Sequence, residues 1–322
     1  MVSTLNIIRV NILTHNQLPY TMGITANCSK FLFYSKKLGA SFDKTLMLGR
    51  LELFATKNEL NEQIDLFKNN AKKLSEVNFR DKYSEPLFEI LGASSIDSMD
   101  VSKYEDATIL HDLNQPIPDA LKGRFTAIVD GGTIEHVFNF PVAIKNCMQA
   151  LSVGGHYIGI TPTNNTMGHG FYQFSPELFY NIFNKSNGFA VKKIIIFTQN
   201  SNGKATDWYE TVDPVEANTR VMLVNGQSTY LLVLAEKTAD MPIFATTPQQ
   251  SDYQSLWAIK EALKENKVPV NEGKVKFILR KILPQPLINF AHNVTGLFTR
   301  KKVVDEGLGE IDTKYYKKVE IK

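Results

Sequence analysis

The 322-residue chain is 43% hydrophobic and 21% charged, the balance of a globular protein rather than a disordered or fibrous one. A net charge of +3 makes no global case for nucleic-acid binding. Cys28 and Cys147 lie far apart and read as free thiols of a reducing compartment. The six histidines show no paired spacing and no Cys-x-x-Cys occurs, so no metal centre is expected.

The opening MVSTLNIIRVNILTHNQLPY has no basic stretch followed by a long apolar core, so no secretion signal is expected. No apolar run approaches the ~20 residues of a spanning helix. A cytoplasmic protein is the default expectation.

From residue 44 onward short apolar runs alternate with amphipathic segments, the pattern of a parallel sheet wrapped by helices. KTLMLG (44–49) reads as a first strand, and 58–77 as a helix with Leu60, Ile64, Leu66 and Phe67 on its buried stripe. SEPLFEILGA (84–93) reads as a short helix capped by Ser84 and stopped by Gly92. SSIDSMD (94–100) and ATILHDLN (107–114) are short strands with acidic ends. FTAIVD (125–130) is apolar enough to be covered on both faces.

The run 140–155 then predicts a helix closed by glycines, and HYIGITP (156–162) a strand. SPELFYNIFNKS (175–186) is a helix with Ser175 at its N-cap and Pro176 at its first position. Strands at 191–199 and 229–237 follow, readable as an antiparallel edge hairpin.

After Lys237 the texture changes to a Pro- and Thr-containing linker, a helix over 253–266, and a run (274–302) that mixes apolar residues with Lys and Arg. Pro284 and Pro286 divide that run into two short helices. It reads either as a segment packed on the main domain or as a peripheral contact with an anionic membrane. The expected organisation is a lead segment (1–40), one α/β domain (41–238), and a linker with a basic helical extension (239–322).

FTAIVDGGTIEHVFN, MQALSVGGHYIGITP and GHGFYQFSPELFYNIF, taken with the strand order, resemble the class I S-adenosylmethionine-dependent methyltransferases over residues 44–237. The resemblance implies a Rossmann-like, mostly parallel twisted sheet with helices on both faces. It also implies S-adenosyl-L-methionine as cofactor and methylation of an oxygen or nitrogen on a small-molecule substrate. Asp100, ending the second strand, is placed to accept the ribose hydroxyls, and Asp112, after the third, to hold the adenine amino group. Each is also an ordinary turn residue.

One feature departs from that pattern. Where the family carries a glycine-rich loop, this chain has LGRLELF with Gly49 alone, and Leu51 and Leu53 cannot let bare backbone approach a ligand. Either Arg50 compensates by pairing with the cofactor carboxylate, or cofactor binding is lost and the chain is a non-catalytic binding or scaffold protein. Asp130, Gly131 and Gly132 offer a second close approach of backbone. No G-x-G-x-x-G follows any strand, which argues against a nicotinamide dehydrogenase.

Glu135 and His136 either fix the loop after the fourth strand or serve the chemistry, His136 as a base and Glu135 on the acceptor. The loop 161–177 gathers Asn164, His169, Tyr172 and Gln173 beside glycines, as a lid over a polar substrate would. His169 is the competing base.

Overall fold

The computed structural model describes residues 23–69, 72–199, 207–217, 220–253, 257, 302–305 and 309–321. Of the expected C-terminal elements, the helix over 253–266 and the basic run 274–302 lie almost wholly outside these residues.

The strands expected before residue 238 all form. They are β1 (Lys44–Leu48), β2 (Ser95–Asp100), β3 (Ile109–Leu110), β4 (Phe125–Asp130), β5 (Leu151–Asn164), β6 (Phe189–Thr198) and β8 (Thr229–Lys237), with a short β7 (Tyr209–Thr211) before β8. Near the chain end β9 (Lys302–Asp305) pairs with β10 (Gly309–Asp312), and β11 (Tyr316–Lys318) joins the main sheet. That sheet has nine strands in the order β11-β7-β6-β8-β5-β4-β1-β2-β3. β3, β2, β1, β4 and β5 are mutually parallel, whereas β8 runs against both β5 and β6.

Two core clusters divide between the faces of this sheet. Because successive strand residues point to opposite sides, Leu46, Leu48 and Ile128 join one cluster while Met47, Ala127 and Val129 join the other. The first is covered by α4 (Phe140–Ala150) and α5 (Pro176–Ile182), through Ile144, Met148, Phe179 and Ile182. The second is covered by α1 (Ala26–Lys37), α2 (Lys57–Phe67) and α3 (Glu85–Ile90), through Phe31, Leu32, Leu60, Leu87 and Phe88. Helices therefore lie on both faces.

Three local expectations are corrected, and one helix is unforeseen. The lead segment contains α1, whose consecutive apolar residues Phe31, Leu32 and Phe33 carry no helical stripe yet are all buried. α2 starts at a Thr56–Glu59 capping box but stops at Phe67, where Lys68 turns left-handed (φ 50°), and Leu66 is exposed. α4 ends at Ala150 because Leu151 is already extended and paired with Phe125, while Gly154 (φ 84°) absorbs the register shift. The pair β6–β8 is antiparallel as expected but internal: β8 sits between β5 and β6, and β11 forms the edge.

Since β1 to β5 are parallel, their carboxyl ends open together, and the segments after them form one rim. Such a rim is where α/β sheets hold ligands.

Candidate functional site

At the centre of the rim is the turn after β4. Asp130 is fully buried, and its Oδ1 accepts the backbone N–H of Thr133 (2.9 Å) and of Ile134 (3.3 Å). Its Oδ2 accepts the hydroxyl of the equally buried Tyr157 (2.8 Å). Burial pushes the Asp130 carboxyl up to about 7, and the charge of Glu135 adds to the shift. The residue put forward as a cofactor contact thus serves to fold the turn. Thr133 Oγ1 donates to the carbonyl of Leu48 (2.7 Å), tying the end of β1 to the same turn.

One helical turn, Ile134–His136, carries the next two candidates. Glu135 is fully buried, and its Oε2 accepts the hydroxyl of Thr161 on β5 (3.2 Å). Its Oε1 lies 3.4 Å from His169 Nε2. The rings of His136 and His169 are 5.3 Å apart. Burial lowers the His136 pKa, with His169 lowering it further and Glu135 opposing, which favours the neutral imidazole.

The loop bearing His169 is pinned to Glu135, whose carbonyl accepts the backbone N–H of Phe171 (2.9 Å) and Tyr172 (3.2 Å). Gly170 packs tightly here: a Cβ would stand 3.0 Å from the Glu135 carbonyl oxygen and 3.2 Å from His136 Nδ1, so the neighbours would have to give way. The remaining lid candidates brace the loop itself. Gln173 Oε1 accepts the N–H and hydroxyl of Thr166 (2.9 and 2.8 Å). The Tyr172 hydroxyl donates to the Phe138 carbonyl (2.7 Å), and Asn164 Nδ2 donates to Asn225 Oδ1 (3.0 Å). Phe174 is buried, whereas Phe171 remains exposed and meets Phe138 edge-on.

On the far side of the rim the candidates separate. Asp100, half-buried at the end of β2, holds Ser102 through Oδ1, accepting its N–H (2.7 Å) and hydroxyl (3.1 Å). Asp112 folds onto Asn114 (2.9 Å to N, 2.8 Å to Nδ2), bonds that hold its carboxyl below the usual range. Arg50 turns away from the rim centre, donating to Glu85 (2.6 Å) and Asp81 (3.3 Å), with its guanidinium 3.9 Å from the Tyr83 ring centre. Gly49 is left-handed (φ 71°), and a Cβ there would lie 3.4 Å from Thr133 Oγ1. Gly132 is left-handed as well (φ 101°), but the space over Gly131 is filled by Leu51.

Toward S-adenosylmethionine these residues fit unevenly. Asp100 presents a carboxylate at a strand end, as a ribose requires, and Gly49 keeps its backbone bare. The amino-acid tail would need Leu51 to turn away from Gly131. Sequence reading missed Thr133, Tyr157 and Thr161 as parts of the site. No local signal marks them, since each looks like an ordinary strand or turn residue.

No protein-family model matches the chain, and neither does any curated protein. Solved structures do match. The branched-chain polyamine synthase from Thermus thermophilus, solved with N4-aminopropylspermidine and 5′-methylthioadenosine, is 12% identical with a TM-score of 0.34. The match covers 69% of this chain and 61% of that enzyme. A SAM-dependent methyltransferase from Archaeoglobus fulgidus is 6% identical over 66% of this chain and 94% of its own, with a TM-score of 0.33. The Burkholderia thailandensis 1,6-didemethyltoxoflavin-N1-methyltransferase, bound to 1,6-didemethyltoxoflavin and S-adenosylhomocysteine, is 9% identical. There the match covers 66% of this chain and 78% of that one, with a TM-score of 0.34. Overlaps this loose carry no argument about activity. The chain is an α/β protein with a class I methyltransferase-like fold, and its own strand order, with β8 reversed between β5 and β6, displays it. No helix among the described residues is long and apolar enough to cross a membrane.

Proposed function

We propose that the protein is an S-adenosylmethionine-dependent methyltransferase acting on an oxygen or nitrogen of a small polar acceptor. The observation that carries this reading is the composition of the rim. The parallel strands β1 to β5 bring a strand-end carboxylate, Asp100, to the same edge as the Glu135–His136–His169 group. Asp100 and Gly49 would hold the adenosine side of the cofactor. The cofactor supplies an electrophilic methyl carbon on a sulfonium.

The chain's own contribution is placement. Holding two reactants in line can lower a barrier by ~7–11 kcal/mol. His136, half-buried and with its pKa lowered toward the neutral form, can accept the acceptor's proton, and His169 is the alternative base. The lid, pinned through the Glu135 carbonyl, would close the acceptor side.

A second reading, a binding protein that has lost its cofactor, is favoured by one observation: Leu51 fills the space over Gly131. Calorimetric titration of S-adenosylmethionine and S-adenosylhomocysteine into the folded protein separates the two. Saturable binding weakened by Asp100→Ala supports the methyltransferase. Heat-silent titration together with no thermal stabilisation by either compound supports the second reading.

A further inference from the structure

We infer that Glu135, His136 and His169 form a site for one divalent first-row transition-metal ion. One ring nitrogen of each histidine and one Glu135 carboxylate oxygen all lie within 4.8 Å of one another. This is the one such group of three His, Cys, Asp or Glu ligands among the described residues. Two imidazoles and one carboxylate are a donor set that Zn²⁺ and Fe²⁺ accept, leaving further positions for water or an acceptor oxygen.

Two independent observations point the same way. Glu135 Oε1 and His136 Nε2 are buried and have no hydrogen-bond partner. Native proteins rarely leave buried polar atoms without a hydrogen bond, because burial has cost them their water, and Glu135 Oε1 has in exchange a contact of 3.4 Å with the His169 ring nitrogen that is not a hydrogen bond. A bound cation satisfies an imidazole lone pair and a carboxylate oxygen together. The surroundings are also built as support for ligands. Thr161 donates to the other oxygen of Glu135, fixing the carboxylate's orientation as outer partners of metal ligands do. The Glu135 carbonyl holds the backbone of residues 171 and 172, and Gly170 keeps the His169 loop close enough to share an ion. Ligand sets spread to 4.8 Å need only a small side-chain closure to reach metal–ligand distances of about 2.0–2.2 Å.

The consequence differs from the base reading. A metal-bound acceptor hydroxyl loses its proton more readily, so the histidines act as ligands, and the ion would staple the lid to the turn after β4. The site does not depend on the methyltransferase reading, and its test requires no cofactor.

The experiment uses the full chain, freed of metal with a chelator and checked for folding by circular dichroism. Co²⁺ is added and its visible d–d absorption followed, and bound Zn²⁺ is then counted by plasma mass spectrometry. The expected result is one ion per chain, with His169→Ala and His136→Ala each abolishing stoichiometric binding. Thr161→Val, which keeps all three ligands, should weaken binding about 10–100-fold. His111→Ala is the control and should change nothing. Should His136→Ala fail to fold, His169→Ala and Thr161→Val decide. Absence of stoichiometric binding by the folded protein overturns the proposal. So does binding that survives His169→Ala unchanged.

Discussion

Leu51 rests on Gly131 so closely that a Cβ on the glycine would lie 2.9 Å from both leucine methyl carbons. This contact closes the loop after β1 against the turn after β4, and Leu51 is buried by it. Gly131→Ala should therefore overpack the rim, costing about 1–3 kcal/mol. In Leu51→Ala/Gly131→Ala the two losses should fail to add, because the cavity left by one change accepts the methyl of the other. Urea unfolding of the two single variants and the double variant measures that coupling. Leu51→Ala should also tighten S-adenosylmethionine binding, since the space over Gly131 then opens without rotating a leucine.

Asp100 is the residue on which cofactor binding is expected to turn. Asp100→Ala should weaken S-adenosylhomocysteine binding by roughly 1.5–3 kcal/mol if the carboxylate takes charge-assisted bonds from the ribose. Ser102→Ala removes only the hydroxyl donor to Oδ1, leaving the backbone N–H bond in place, and should cost less. Equal affinities for wild type and Asp100→Ala would remove Asp100 from the site.

The Asp130 carboxyl makes stability depend on pH. Its folded value, about 7, stands above the ordinary 3.8, so the folded protein binds this proton more tightly than the unfolded chain does. The stabilisation is complete below about pH 4 and is lost as pH rises through 7. Asp130→Asn keeps acceptors for the Thr133 and Ile134 N–H groups and can donate to Tyr157, yet cannot ionise. Relative to wild type it should gain stability between pH 4 and 7 and hold that gain above. Thermal melts across this range with chelator present check the sign, and parallel curves for the two proteins would contradict it.

Turnover separates the roles of the two histidines once an acceptor is found. If His136 is the base, His136→Ala should lose about 10²–10⁴ in kcat with cofactor affinity intact. If His169 is the base, the loss moves there. Unchanged rates in both variants would leave positioning alone as the source of catalysis.

The edge strand β11 makes the chain end part of the fold. Tyr315 and Tyr316 are buried, and Tyr316 pairs with Thr211 of β7. Removing residues 314–322 should cost roughly 1.5–3 kcal/mol for each buried aromatic. A lowered Tm at unchanged far-UV circular dichroism is the expected reading.

What the sequence determined alone was whatever neighbouring residues decide among themselves. The short apolar runs of β1, β4 and β8, the Ser175 cap, and the strand-end positions of Asp100 and Asp130 are properties of short segments. So is the turn carrying Glu135 and His136. Propensity and burial period act over that range. Tertiary structure decided the rest, because the partners come from distant segments. Arg50 went to Glu85 and Asp81, since those carboxylates sit beside it once α3 packs on the sheet. The Asp130 side chain went to its own turn and to Tyr157, which sits on the adjacent strand opposite Ile128, two residues back on the same face. α1 is helical through burial of Phe31, Leu32 and Phe33 against the sheet, a gain that no stripe in its sequence announces. His169 met Glu135 only when β5 delivered the loop after it to the rim, so two residues of unrelated local pattern became one site.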